Sequence, residues 1–156
     1  MFFSKASGAI WRAHMDGTNR TAFVPRGLSS PAGVAIDHST RRLYWADWGA
    51  KVIQYSSLDG SQVITVSHAT SAPWGIALSG QRLYWSLKDG ENRVISSARM
   101  GGEIRVMYSG SVPITHLAVQ DSTVTKSRGN DCHGVRDCDD GVCVLTPASF
   151  TCLPKI

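Results

Sequence analysis

The feature that most constrains the fold of this chain is a repeat of about 40 residues. Leu43-Tyr44-Trp45-Ala46-Asp47 returns as Leu83-Tyr84-Trp85-Ser86-Leu87, with Tyr84 standing 40 positions after Tyr44. Pro31-Ala32-Gly33 returns as Pro73-Trp74-Gly75, and Pro113-Ile114 opens a third copy. Asp16-Gly17, Asp59-Gly60 and Gly101-Gly102 keep step with them. A unit of this length cannot bury its apolar surface alone, so its copies must stack. A Tyr-Trp strand and a glycine turn at this period mark propeller blades, each a sheet of four antiparallel strands.

The first full copy predicts strands at 33–37, 42–47, 52–58 and 63–67. The second predicts them at 75–79, 82–87, 93–100 and 104–108. Met1-Phe2-Phe3-Ser4 aligns with Leu83-Tyr84-Trp85-Ser86, which adds strands at 1–4, 9–15 and 21–24. Residues 114–120 read as a first strand of another copy, and 122–126 as a second. Asp59-Gly60 predicts a type I′ hairpin turn, with positive φ at both central residues. Along Leu43-Tyr44-Trp45-Ala46 the side chains alternate between faces, yet both sets are apolar or aromatic. A sheet with one wet face would alternate apolar with polar. These strands are therefore expected between two neighbouring sheets. The fold class expected is all-β, with about three blades of a propeller. Closed propellers have about four to eight blades, so the outer blades are expected to need neighbours beyond this chain.

The composition is 42% hydrophobic and 18% charged, which suits a packed domain rather than a disordered chain. No apolar run approaches the roughly 20 residues that cross a bilayer. The first residues lack the apolar core of about 7–15 residues that a signal peptide carries. The net charge of +4 is spread along the chain. No basic cluster interleaves with stacking aromatics, so nucleic acid is not an expected partner. All four cysteines, Cys132, Cys138, Cys143 and Cys152, lie in the last 25 residues. That asymmetry predicts a repeat domain at 1–127 and a small crosslinked module at 128–156. An even count favours disulfides and an oxidising compartment. His133 is a spare ligand, but the spacing contains no CxxC knuckle, so zinc is not expected.

The motifs Tyr44-Trp45-Ala46-Asp47 and Tyr84-Trp85-Ser86-Leu87 resemble the Tyr-Trp-Thr-Asp (class B) repeats of the low-density lipoprotein receptor family. The frame around them, Pro31, Gly33, Ile36-Asp37, Leu43, Ile53 and Leu58-Asp59-Gly60, is similar too. In that family a six-bladed propeller is followed by an EGF-like module, and Asn130-Asp131-Cys132 resembles the start of one. The resemblance implies a partial propeller of this kind plus a truncated or degenerate EGF-like module. It pairs Cys132 with Cys143 and Cys138 with Cys152; spacing alone leaves three pairings open. It also implies an extracellular or cell-surface ectodomain of an endocytic or signalling receptor. Its partners would be extracellular protein ligands and neighbouring modules of the same receptor. A membrane would be reached only through parts that this sequence lacks. A basement-membrane adhesion protein of the nidogen type uses the same two modules and is the alternative. A six-bladed propeller hydrolase is a more distant one. The family's motif aspartate ties neighbouring blades, yet only Asp47 keeps it; Leu87 and Lys5 stand at the equivalent places.

Tyr44, Trp45, Tyr84 and Trp85 are expected to be core between blades rather than a recognition surface. Trp48 and Trp74 sit at strand ends, where propellers of this family present loops, and are candidate ligand contacts. Asn19-Arg20-Thr21 is a glycosylation sequon just after the Asp16-Gly17 turn. His38 and His116 are candidates for a pH switch, against the plainer reading of turn and strand histidines. On the expected inner strands only Asp37 is a hard ligand, and one carboxylate cannot build a six- to eight-coordinate calcium site. The two glutamates, Glu91 and Glu103, fall in turns, and no nucleophile, base and acid come together. No enzymatic activity, metal or cofactor is expected.

Overall fold

The computed structural model describes residues 1–24, 26–69, 71–88, 90, 92–114, 116–121, 140–145 and 150–154. Among these the chain forms only β-strands as regular elements, and it divides into two compact units, Met1–Ile76 and Ala77–Ile156.

In the first unit β1 (Phe2–Lys5), β2 (Ala9–Arg12) and β3 (Thr21–Val24) form a three-stranded antiparallel sheet in chain order. Next come β4 (Pro31–Asp37), β5 (Arg42–Asp47), β6 (Val52–Ser57) and β7 (Ile64–His68), a four-stranded meander. The central strand β5 is buried on both faces, as the double apolar pattern predicts. Burial fades towards β7, which is mostly exposed. One face of the second sheet packs on the first: Leu43 and Trp45 cluster with Ile10, Phe23 and Val24, and Phe2, Leu28 and Val34 close the rim. The Phe2 and Phe23 rings meet edge to face at 4.9 Å, the arrangement that ring quadrupoles favour. The Trp45 indole N–H donates to Gln54 Oε1 at 3.2 Å. That bond satisfies the one polar atom of a ring with no exposed surface.

Gly33 of the Pro-x-Gly repeat explains how closely such strands approach. A Cβ there would stand 2.6 Å from the Trp74 carbonyl oxygen and 2.9 Å from the Ile76 nitrogen. Both obstacles are backbone and cannot swing aside. Gly33→Ala is therefore expected to cost about 1–3 kcal/mol through overpacking. Urea unfolding of the variant checks this, and an unchanged midpoint would refute it.

In the second unit β8 (Pro73–Ser79), which crosses the boundary, β9 (Arg82–Leu87), β10 (Arg93–Ala98) and β11 (Arg105–Ser109) repeat the four-stranded meander. Strand β9 has the burial pattern of β5. A fourth sheet follows the order β12 (His116–Asp121), β13 (Asp140–Leu145), β14 (Phe150–Pro154). The expected strand at 122–126 and the expected domain boundary at 127/128 lie outside the described residues. The described strands on either side of that boundary share a sheet: Leu117 pairs with Val144, and Val142 with Leu153. The physical reason is apolar surface. Leu117, Val144 and Leu153 are buried in one cluster with Ala77, Tyr84 and Val94.

The Asp-Gly turns differ from expectation. Gly60 has φ of +83°, but Asp59 keeps negative φ, so the turn is not type I′. Instead the Gly60 N–H donates to the Ser57 carbonyl at 2.9 Å, and Asp59 Oδ1 accepts from the Ser61 N–H at 2.8 Å. The aspartate side chain closes an Asx turn, and the second left-handed residue of the connection is Gln62, with φ of 38°, rather than Asp59. The Asx turn recurs at Asp16-Gly17, where the Gly17 N–H donates to the His14 carbonyl and Asp16 accepts from the Thr18 N–H. At Gly101 only the backbone bond to the Ala98 carbonyl recurs, since Met100 stands in place of the aspartate. Hydrogen bonds from Thr18 and Ser61 hold the carboxyls of Asp16 and Asp59 below the usual carboxylate range. The early turn at 14–17 also ends β2 at Arg12, short of the expected 9–15.

Candidate ligand-binding site

Strand β5 ends in Asp47, whose surface is 1% exposed. Its carboxylate accepts three backbone N–H bonds: Ser29 at 2.7 Å, Ser30 at 2.8 Å and Ala50 at 3.0 Å. The Trp48 N–H donates to the Ser30 carbonyl at 3.1 Å. One carboxylate thus fastens the connection arriving from β3 to the turn leaving β5. Charge-assisted bonds of this kind are roughly twice as strong as neutral ones. At the equivalent places Leu87 is buried and apolar, and Lys5 is exposed with its Nζ 5.4 Å from the centre of the Trp11 ring.

The turn that Asp47 fixes carries Trp48, 39% exposed, beside the half-buried Trp74. Their ring centroids are 6.5 Å apart with planes inclined at 58°. Neighbouring loops press against the same turn. A Cβ at Gly49 would lie 2.5 Å from Ser29 Oγ, and one at Gly8, where φ is +77°, would lie 2.4 Å from the Leu28 carbonyl oxygen. Ser4 Oγ donates to the Ala32 carbonyl at 2.7 Å. Gly8 thus meets Leu28, Gly49 meets Ser29 and Trp48 meets Trp74, so these loops adjoin one another in turn at one end of the strands. A paired aromatic surface on a fixed backbone is suited to gripping an apolar group of a partner.

The remaining expected residues fall elsewhere. Tyr44, Trp45, Tyr84 and Trp85 are buried and present no surface. Asn19 is exposed with φ of 51°, and its Nδ2 lies 3.3 Å from His14 Nε2. Thr21 of the sequon accepts from Arg12 Nε at 3.0 Å. Cys132 and Cys138 lie outside the described residues, while Cys143 and Cys152 are direct register partners on β13 and β14. His38 and His116 are exposed. Asp37 is engaged by Ser39 and Thr40, each through its N–H and its hydroxyl. The sequence places Asp37 in the repeat frame and, as a lone hard ligand, rules out a calcium site, but it does not single out this turn-closing role. The Asp-x-Ser-Thr spacing was the available signal for an Asx turn. Among the described residues no group of three or more His, Cys, Asp or Glu side chains converges. No helix among them is long and apolar enough to cross a membrane.

Repeated four-stranded sheets with a strand-end surface define a β-propeller repeat protein. The low-density lipoprotein receptor repeat class B matches residues 41–78. The chain is 31% identical over 152 residues, 94% of its length, to human low-density lipoprotein receptor-related protein 5, and spans 9% of that protein. It is 30% identical over 128 residues to the vitellogenin receptor of Solenopsis invicta, covering 77% of this chain and 7% of that one. Through its class B repeats the chain belongs to the low-density lipoprotein receptor-related family, of whose members it spans a small part. A chain in the crystal structure of a nidogen/laminin complex superposes with a TM-score of 0.74 at 21% identity, over 93% of this chain and 51% of that one. That likeness is one of fold.

Proposed function

We propose that this chain is the propeller part of an extracellular receptor and binds protein ligands at the strand end that carries Trp48 and Trp74. The observation that carries the reading is the Asp47 carboxylate, which holds the Trp48 turn against the loop at Ser29 and Ser30. Such a fixed aromatic pair loses little entropy on binding. The receptor relatives support the ligand-binding class. Uptake or signalling would be the output of the whole receptor. Photo-crosslinking tests the site. p-Benzoylphenylalanine in place of Trp48 is expected to capture a protein from extracellular fluid, whereas the same group in place of Ser61, at the opposite end, is not. Equal labelling from both positions would sink the reading.

An ectodomain would pass through the secretory route. The full chain secreted from animal cells is then expected to carry a glycan at Asn19. A glycosidase-sensitive mass shift, lost in Asn19→Gln, checks this. The Cys132–Cys143 and Cys138–Cys152 pairs of an EGF-like module belong to the same proposal. Non-reducing peptide mapping that returned a Cys143–Cys152 pair would overturn that connectivity.

A further inference from the structure

The exposed carboxylates of the first unit are segregated to one end. Residues 1–76 hold four carboxylates, Asp16, Asp37, Asp47 and Asp59. Asp37 closes β4 at the end opposite Trp48, and Asp16 and Asp59 sit in the β2–β3 and β6–β7 turns at that same opposite end. Asp47 alone lies at the Trp48 end, and it is buried with three N–H donors on its oxygens. The Trp48 end thus presents exposed Lys5, Arg26 and Lys51 and no exposed carboxylate. At the opposite end Arg12, Arg20 and Arg41 are exposed beside exposed Asp16 and Asp59, while Arg42 is half-buried and Asp37 is buried.

A surface with an aromatic pair and unbalanced cations selects its partner by two properties. Apolar contact with the rings supplies affinity, and the sign of the rim charge rejects cationic partners. We propose that this end takes an acidic peptide segment of a protein ligand. An apolar side chain of that segment seats against Trp48 and Trp74, and its carboxylates face Lys51, Arg26 and Lys5. The inference rests on the reading above that this end binds protein ligands, and adds the chemistry of the partner.

Fluorescence polarisation with the full chain tests it. The probes are a fluorescein-labelled peptide with glutamates around a central Leu-Leu pair and the same peptide with lysines in place of the glutamates. The acidic peptide is expected to bind and the basic one not. Trp48→Ala should weaken binding by about tenfold. Arg26→Glu and Lys51→Asn should each weaken it by about threefold, since these are exposed charges. Asparagine suits position 51, where φ is 56°. Added salt should weaken the acidic peptide through screening. Equal binding of both peptides, lost in Trp48→Ala, would overturn the charge selection and leave the ligand-binding reading intact. So would failure of both peptides when position 48 still crosslinks a protein. A heparin oligosaccharide that displaces the acidic peptide and binds Trp48→Ala undiminished would show a general polyanion surface and also overturn the inference.

Discussion

Trp45→Ala is expected to lower the unfolding free energy by about 3–5 kcal/mol, the range for removing a large buried aromatic. The indole has no exposed surface and packs with residues from two sheets, among them Ile10, Phe23 and Val24. Truncation leaves a cavity that rigid sheets cannot close, and strands Gln54 Oε1 without its donor. Because whole domains are stable by only about 5–15 kcal/mol, Trp45→Phe serves as a milder companion. Trp48→Ala provides the contrast: the side chain is 39% exposed, so its loss should cost about 0.5 kcal/mol. Urea unfolding followed by circular dichroism measures all three. Similar losses for Trp45→Ala and Trp48→Ala would contradict the stacked-sheet account.

Asp47→Ala has the next largest expected effect, about 2–4 kcal/mol. Three N–H groups lose a charged acceptor at once, and each unsatisfied donor costs about 1–3 kcal/mol. The lower total reflects the exposure of Ser29 and Ala50, whose amides can turn to water. Asp47→Asn keeps one acceptor oxygen and should lose about half as much. Native-state hydrogen exchange gives the sharper readout. The Ser29, Ser30 and Ala50 amides should exchange faster in both variants, while β6 amides stay protected. Unchanged protection of those three amides would mean that the carboxylate does not fasten the loops. Because Trp48 rides on the same turn, Asp47→Ala should also reduce crosslinking from position 48.

The repeat made much of the fold legible before any coordinates. Strands at 42–47, 82–87 and 21–24 were read to their end residues, because Leu-Tyr-Trp patterns and flanking turns mark them from both sides. The burial of both faces of β5 followed from two apolar sets on alternating side chains. Sequence could not show that Asp59 would keep negative φ, because an Asp-Gly pair fits either turn and the choice depends on the Ser61 amide. Nor could it show that β12 pairs with β13. The clustering of the four cysteines places 140–145 in a small module after the repeats, and the burial of Val144 and Leu153 with Leu117 is a contact between segments distant in sequence. At the candidate site the two tryptophans were legible as strand-end residues. Their 6.5 Å separation comes from two copies of the repeat meeting in space, which no local window contains.

The separation of Asp16, Asp37 and Asp59 from the Trp48 end gives the first unit a built-in direction. In a field from a charged partner such a body experiences a torque before it touches anything. Both ends carry excess cations, but the aromatic end carries the larger excess even with buried Asp47 counted. An anionic surface therefore attracts that end more, and a modestly larger share of diffusive collisions begins in a productive orientation. The gain is one of arrival rate rather than residence time, and it shrinks as ionic strength rises.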